Sequence, residues 1–179
     1  MSKRGFTLLE LLVVVIIIGI LASIALPQYK MAVAKSRYAT MMDLAKSIAL
    51  AQERYFLANG AYTTKFSNLD INMPTGYTPM SSDYCYDWGG CSISWRNSLV
   101  CYNTKIETGF FIYLKNQDQY GAIKTGKAFC VSNSRNGNDF SNKLCKQITN
   151  SKSYNTTEKF WFWCDNKQRY GYLYKFSSY

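Results

Sequence analysis

Residues 6 to 26 of this chain are apolar except for Thr7, Glu10, Gly19 and Ser23, and Glu10 is the one charge among them. As a helix such a run spans roughly 31 Å at 1.5 Å per residue, about one hydrocarbon core of a bilayer. A carboxylate within it costs on the order of 2.5–3.5 kcal/mol at the bilayer centre by insertion scales, and less near an end. The placement makes sense where the acid meets a positive partner. The polar stretch Ser2-Lys3-Arg4-Gly5 stands directly before the run. The segment therefore reads as a membrane anchor built to leave the membrane and find a positive charge.

A secretory signal is the plainer alternative, with Ala22-Ser23-Ile24-Ala25 as its cleavage site. The run exceeds the usual apolar core of about 7–15 residues, and Pro27 is followed by more helical pattern. An ordinary anchor accounts for the length but not for Glu10. The stretch Lys3-Arg4-Gly5-Phe6-Thr7-Leu8-Leu9-Glu10-Leu11-Leu12 resembles the processing site of type IV pilins and of the pseudopilins of type II secretion. The resemblance continues through Gly19 and Ala25-Leu26-Pro27-Gln28-Tyr29, covering about the first 60 residues.

That resemblance implies a leader of residues 1–5, cut between Gly5 and Phe6 by a prepilin peptidase that then N-methylates Phe6. It also gives Phe6 and Glu10 an assembly role. The chemistry of that role follows independently. Cleavage exposes an ammonium on Phe6, and in a stack of subunits it meets the Glu10 carboxylate of a neighbour. A buried charge left alone is expensive and a paired one is tolerable, so the pair selects the axial register. N-methylation keeps the charge.

Residues 6–30 are then a transmembrane and assembly helix, and residues 31–179 a head that includes the helix's second half. From Tyr29 to Leu57 apolar residues recur at near-helical spacing, with Lys35, Arg37, Lys46 and Arg54 on other faces. One helix is expected over about 6–58, kinked near Pro27, with Asn59-Gly60 as its stop. The fold class is α+β, a long helix packed on a small antiparallel sheet as in the type IV pilin fold.

Residues 60 to about 92 read as loop-rich, punctuated by Pro74, Gly76, Pro79 and Gly89-Gly90. Strands are expected over Ile93–Tyr102, Gly109–Leu114, Gln119–Lys124 and Lys127–Val131, and an irregular loop over 133–157. A late hairpin joins Phe160-Trp161-Phe162-Trp163 to Tyr170-Gly171-Tyr172-Leu173-Tyr174.

All six cysteines, Cys85, Cys91, Cys101, Cys130, Cys145 and Cys164, follow the helix, and an even count in an exported head reads as disulfides. Cys130 and Cys145 enclose a polar stretch, and a C-terminal loop closed by a disulfide recurs in type IV pilins. They are the expected pair; the other pairings stay open. With no histidine, Ser/His/Asp and Cys/His chemistry are impossible; a zinc site is the alternative to disulfides, and the absence of both histidine and CxxC argues against it. No Gly-rich phosphate loop or EF-hand pattern occurs, so the chain reads as a non-enzyme without cofactor.

The net charge of +10 falls to +8 once Lys3 and Arg4 leave with the leader. The basic residues are spaced, as on a solvated surface. With 15 Tyr, 10 Phe and 4 Trp, most aromatics are expected in the core.

The leading expectation is a structural subunit, inserted in the inner membrane with its head in the periplasm. Assembly machinery then polymerises it with identical or related subunits into a surface filament for adhesion, motility or DNA uptake. Two alternatives stand beside it: a minor pilin whose basic aromatic head binds DNA or another anionic ligand, and a pseudopilin of type II secretion.

Overall fold

In a computed structural model, the described residues are 6–80, 83–94, 98–114, 127–133, 139–162, 164 and 167–177. The chain opens on α1, Leu8–Asn59, which runs unbroken through Pro27. Pro27 lacks an amide proton, which frees the Ser23 carbonyl from its helical partner. The helix stops where expected. Gly60 takes the left-handed conformation (φ 73°), and its N–H donates to the Phe56 carbonyl at 2.8 Å.

Eight strands follow: β1 (Thr78–Met80), β2 (Asp83–Tyr86), β3 (Gly89–Ser94), β4 (Ser98–Asn103), β5 (Thr108–Tyr113), β6 (Ala128–Ser132), β7 (Thr156–Phe162) and β8 (Lys167–Lys175). A second helix, α2 (Phe140–Thr149), lies between β6 and β7. The sheet is antiparallel throughout, in the order β1-β2-β3-β4-β5-β6-β8-β7. A simple meander runs to β6; the late hairpin then docks through its second strand.

The sheet is larger than the small one expected, and two local expectations need correction. Ile93–Tyr102 is not one strand: it is split between β3 and β4, which pair with each other. Residues 133–157 are not an irregular loop, since α2 occupies ten of them. The expected strand over Gln119–Lys124 lies outside the described residues.

Packing begins midway along α1. Ala34, Tyr38, Met41, Ala45 and Ile48, spaced three or four apart, form one buried stripe. The alanines let the helix lie close to the sheet. Against the stripe stands a cross-strand row, Tyr84–Cys91–Cys101–Phe110–Cys130–Tyr174, each residue registered opposite the next. All six belong to or border one core cluster.

The alternate positions face outward, where Val100, Tyr102, Phe111, Phe129, Val131 and Leu173 are also buried, as a second cluster with Cys164 against it. Both faces of the sheet are thus apolar. Cys164, between β7 and β8, packs against the outer one. Gly90 makes room for it: a β-carbon there would come within 2.7 Å of Cys164 Sγ and would clash with the Tyr84 carbonyl.

Candidate functional site

From Leu8 to Leu26 every large apolar side chain is 46–83% exposed, and Phe6 is 84% exposed. Among the described residues, no large apolar side chain of this half of α1 is covered by the head. Among the described residues α1 is the one helix long and apolar enough to cross a membrane. An exposed apolar surface of this length requires a partner.

The start of the helix is built from Thr7 and Glu10. Thr7 sits at the cap in extended conformation, and the Glu10 N–H donates to its Oγ1 at 3.2 Å. In return the Thr7 N–H and the Thr7 hydroxyl both donate to Glu10 Oε2, each at 2.8 Å. This reciprocal capping box satisfies amides that the first turn leaves without helical partners. The carboxylate also lies at the positive end of the helix dipole. A carboxylate that looks misplaced in sequence accepts two hydrogen bonds at the helix start.

Phe6 immediately precedes the cap, so its backbone nitrogen and the Glu10 carboxylate lie at the same end of α1. Gly5 lies outside the described residues. Sequence reasoning passed over Thr7 as a polar interruption, although Thr7-Leu8-Leu9-Glu10 carries the T-x-x-E spacing of a capping box.

The head is fastened by three disulfides: Cys85–Cys164, Cys91–Cys101 and Cys130–Cys145. Cys91 and Cys101 are direct cross-strand neighbours in the β3–β4 register. Cys130–Cys145 ties β6 to α2. Two polar contacts hold α2 as well: Ser132 of β6 and Ser141 share a hydroxyl hydrogen bond at 2.9 Å, and the hydroxyl of Tyr174 on β8 donates to Asn142 Oδ1 at 2.6 Å. Burial raises the pKa of Tyr174 above the ordinary phenol value.

The loop after α1 is fastened back onto the helix. Buried Gln52 donates through Nε2 to the Thr63 carbonyl at 2.7 Å and accepts the Thr63 N–H at 3.2 Å. On the surface Arg54 grips Asp70 with two bonds, at 2.7 and 2.8 Å. Those bonds hold the Asp70 carboxyl below its ordinary pKa and raise that of Arg54. No group of three His, Cys, Asp or Glu among the described residues is placed to hold a metal.

A long, half-exposed helix, a capped acid at its start and a disulfide-fastened antiparallel sheet together define an α+β architecture, consistent with the type IV pilin fold. A family model described as the prokaryotic N-terminal methylation motif matches residues 1–26.

The chain is 35% identical over 81 residues to the type IV major pilin protein PilE1 of Neisseria gonorrhoeae, covering 45% of this chain and 35% of that one. It is 34% identical over 77 residues to a fimbrial protein of Pseudomonas aeruginosa, covering 43% of this chain and 50% of the relative. To the type II secretion system core protein G of P. aeruginosa it is 38% identical over 77 residues, covering 42% and 54%. The matches thus span about a third to a half of the relatives' lengths. No solved structure matches the chain.

Proposed function

We propose that the chain is a structural pilin subunit rather than an enzyme, stored in the inner membrane and polymerised into a surface filament. A prepilin peptidase removes residues 1–5 by cutting between Gly5 and Phe6, and N-methylates Phe6. Residues 6–30 anchor the precursor while the head, from residue 31, folds in the periplasm, where its disulfides form. Inner-membrane machinery then transfers the subunit to related subunits in the growing filament. The observation that carries this reading is the wholly exposed apolar half of α1, opened by the Thr7–Glu10 cap and followed by a head that does not cover it.

Membrane lipid covers that surface before assembly, and neighbouring helices cover it afterwards. At the transfer, Glu10 meets the Phe6 ammonium of an adjacent subunit, and the charge pair sets the register. Mass spectrometry of sheared surface filaments tests the proposal. The expected component is this chain beginning at an N-methylated Phe6; its confinement to the membrane fraction overturns the filament role.

The likeness to the secretion core protein G supports a second reading, a pseudopilin. Deletion separates the two. Loss of filaments selects the first, while loss of secretion with filaments intact selects the second.

A further inference from the structure

We propose that Tyr29, Lys30, Lys35 and Arg37 form a cationic collar that seats α1 on the anionic phospholipid headgroups of the leaflet facing the head. The inference rests on the reading of the apolar half of α1 as a membrane anchor. Between Glu10 and Asp43 the only charged residues are Lys30, Lys35 and Arg37. All three are exposed, and none has a hydrogen-bond or ion-pair partner among the described residues. No acid stands three or four positions from any of them, so the helix does not neutralise them internally.

Their positions match the layers of a bilayer. If Leu26 marks the end of the hydrocarbon core, Lys30 lies about 6 Å further along the axis, within the headgroup layer. Lys35 and Arg37 lie roughly 14 and 17 Å beyond Leu26. From there their long stems can reach back toward the surface, and their charges stand within about a Debye length of it. Tyr29 is 68% exposed at the boundary itself, where an amphipathic ring is favoured.

Lys30 and Arg37 share a helix face two turns apart, while Lys35 points elsewhere, so the charges occupy two faces of the helix instead of marking one stripe. The collar is continuous with the anchor, and the buried stripe begins only at Ala34. An anionic lipid surface fits all three cations at once. A second copy of the chain would have to bring acids to both faces of the helix.

The test uses the full chain reconstituted in phosphatidylcholine vesicles containing phosphatidylglycerol. Electron spin resonance of spin-labelled lipids reads which headgroup the protein immobilises. The expected preference for phosphatidylglycerol is on the order of fivefold for each cation that engages the surface. It should collapse to parity in high salt and in the Lys30→Gln/Lys35→Gln/Arg37→Gln variant.

A preference that survives the triple variant overturns the collar. So does one lost in Lys3→Gln/Arg4→Gln, which would assign the headgroups to the opposite flank. Unchanged lipid selectivity combined with weakened self-association of the triple variant gives these residues to a second copy, and also overturns it. Flotation of the vesicles checks the anchor separately: a chain that fails to float with them refutes the anchor reading itself.

Discussion

Cys85 and Cys164 are bonded with their Cα atoms 5.3 Å apart, although β2 and the β7–β8 hairpin lie near opposite ends of the sheet. Four strand spacings separate β2 from β6, roughly 19 Å at 4.8 Å each. The hairpin covers that distance by leaving β6 beyond Tyr172 and crossing the outer face, where Cys164 packs against the second core. The disulfide therefore works as a strap. It closes the hairpin over an apolar face that the helices, packed on the other side, do not reach.

The three disulfides should contribute unequally. They separate their cysteines by 79, 15 and 10 residues for Cys85–Cys164, Cys130–Cys145 and Cys91–Cys101. A chain-entropy account gives about 4.5, 3 and 3 kcal/mol in that order. Cys85→Ser/Cys164→Ser should thus cost the most in denaturant midpoint, and it alone should expose the outer face to a hydrophobic dye. Equal losses from all three pairs, without dye binding, would show that the strap is not what covers that face.

Charge and capping can be separated at Glu10. Glu10→Gln keeps an acceptor for the Thr7 amide and hydroxyl, so the cap survives, but it removes the charge. Glu10→Ala removes the charge and the two bonds that Thr7 donates to the carboxylate, leaving only Thr7 Oγ1 to accept the residue-10 N–H. Both variants should float with membranes while yielding no sheared filaments. Filaments from Glu10→Gln at wild-type abundance would mean that the cap, and not a charge pair, is what assembly needs.

Several elements were legible because local chemistry decides them. The apolar run, the Asn59-Gly60 stop and the late hairpin all follow from composition and turn residues. The boundary between β3 and β4 was hidden by double-sided burial. Nearly every residue in both strands is buried, so the alternation that marks a strand with one wet face is missing. Helix α2 was hidden for a different reason. Polar residues fill much of it, and its position is set by Cys145, Ser141 and Asn142 reaching partners far along the chain. The pairing of Cys91 with Cys101 depends on strand register, which cysteine spacing does not encode. Thr7 was legible and overlooked, because the apolar run around it dominates the reading.

Gln52 looks like a surface residue in sequence and is fully buried in the fold. Its side chain answers both backbone groups of Thr63, so Gln52→Ala would leave a donor and an acceptor unmatched at a buried residue. The expected loss is about 2–6 kcal/mol, from about 1–3 for each group. Urea unfolding of the oxidised protein measures it. A loss below about 0.5 kcal/mol would place the hold on this loop with Arg54–Asp70 instead.

The Arg54–Asp70 grip and the Tyr174 hydroxyl should respond to opposite ends of the pH scale. Asp70 titrates below its unfolded value, so its contribution is present above the ordinary carboxylate pKa and is lost as pH falls through the folded one. Both partners are about half exposed or more, so the effect is modest and weakens with salt. Asp70→Asn should remove it, flattening the acid limb of loop protection against proteolysis. Tyr174 is shifted upward by burial, so its contribution is intact below the ordinary phenol pKa and declines as pH rises past it toward the folded value. Tyr174→Phe should lose about 1 kcal/mol at neutral pH with the Asn142 hydrogen bond. It should also unfold less steeply than wild type above about pH 10. An alkaline limb identical in the two proteins would mean that another tyrosine controls unfolding there.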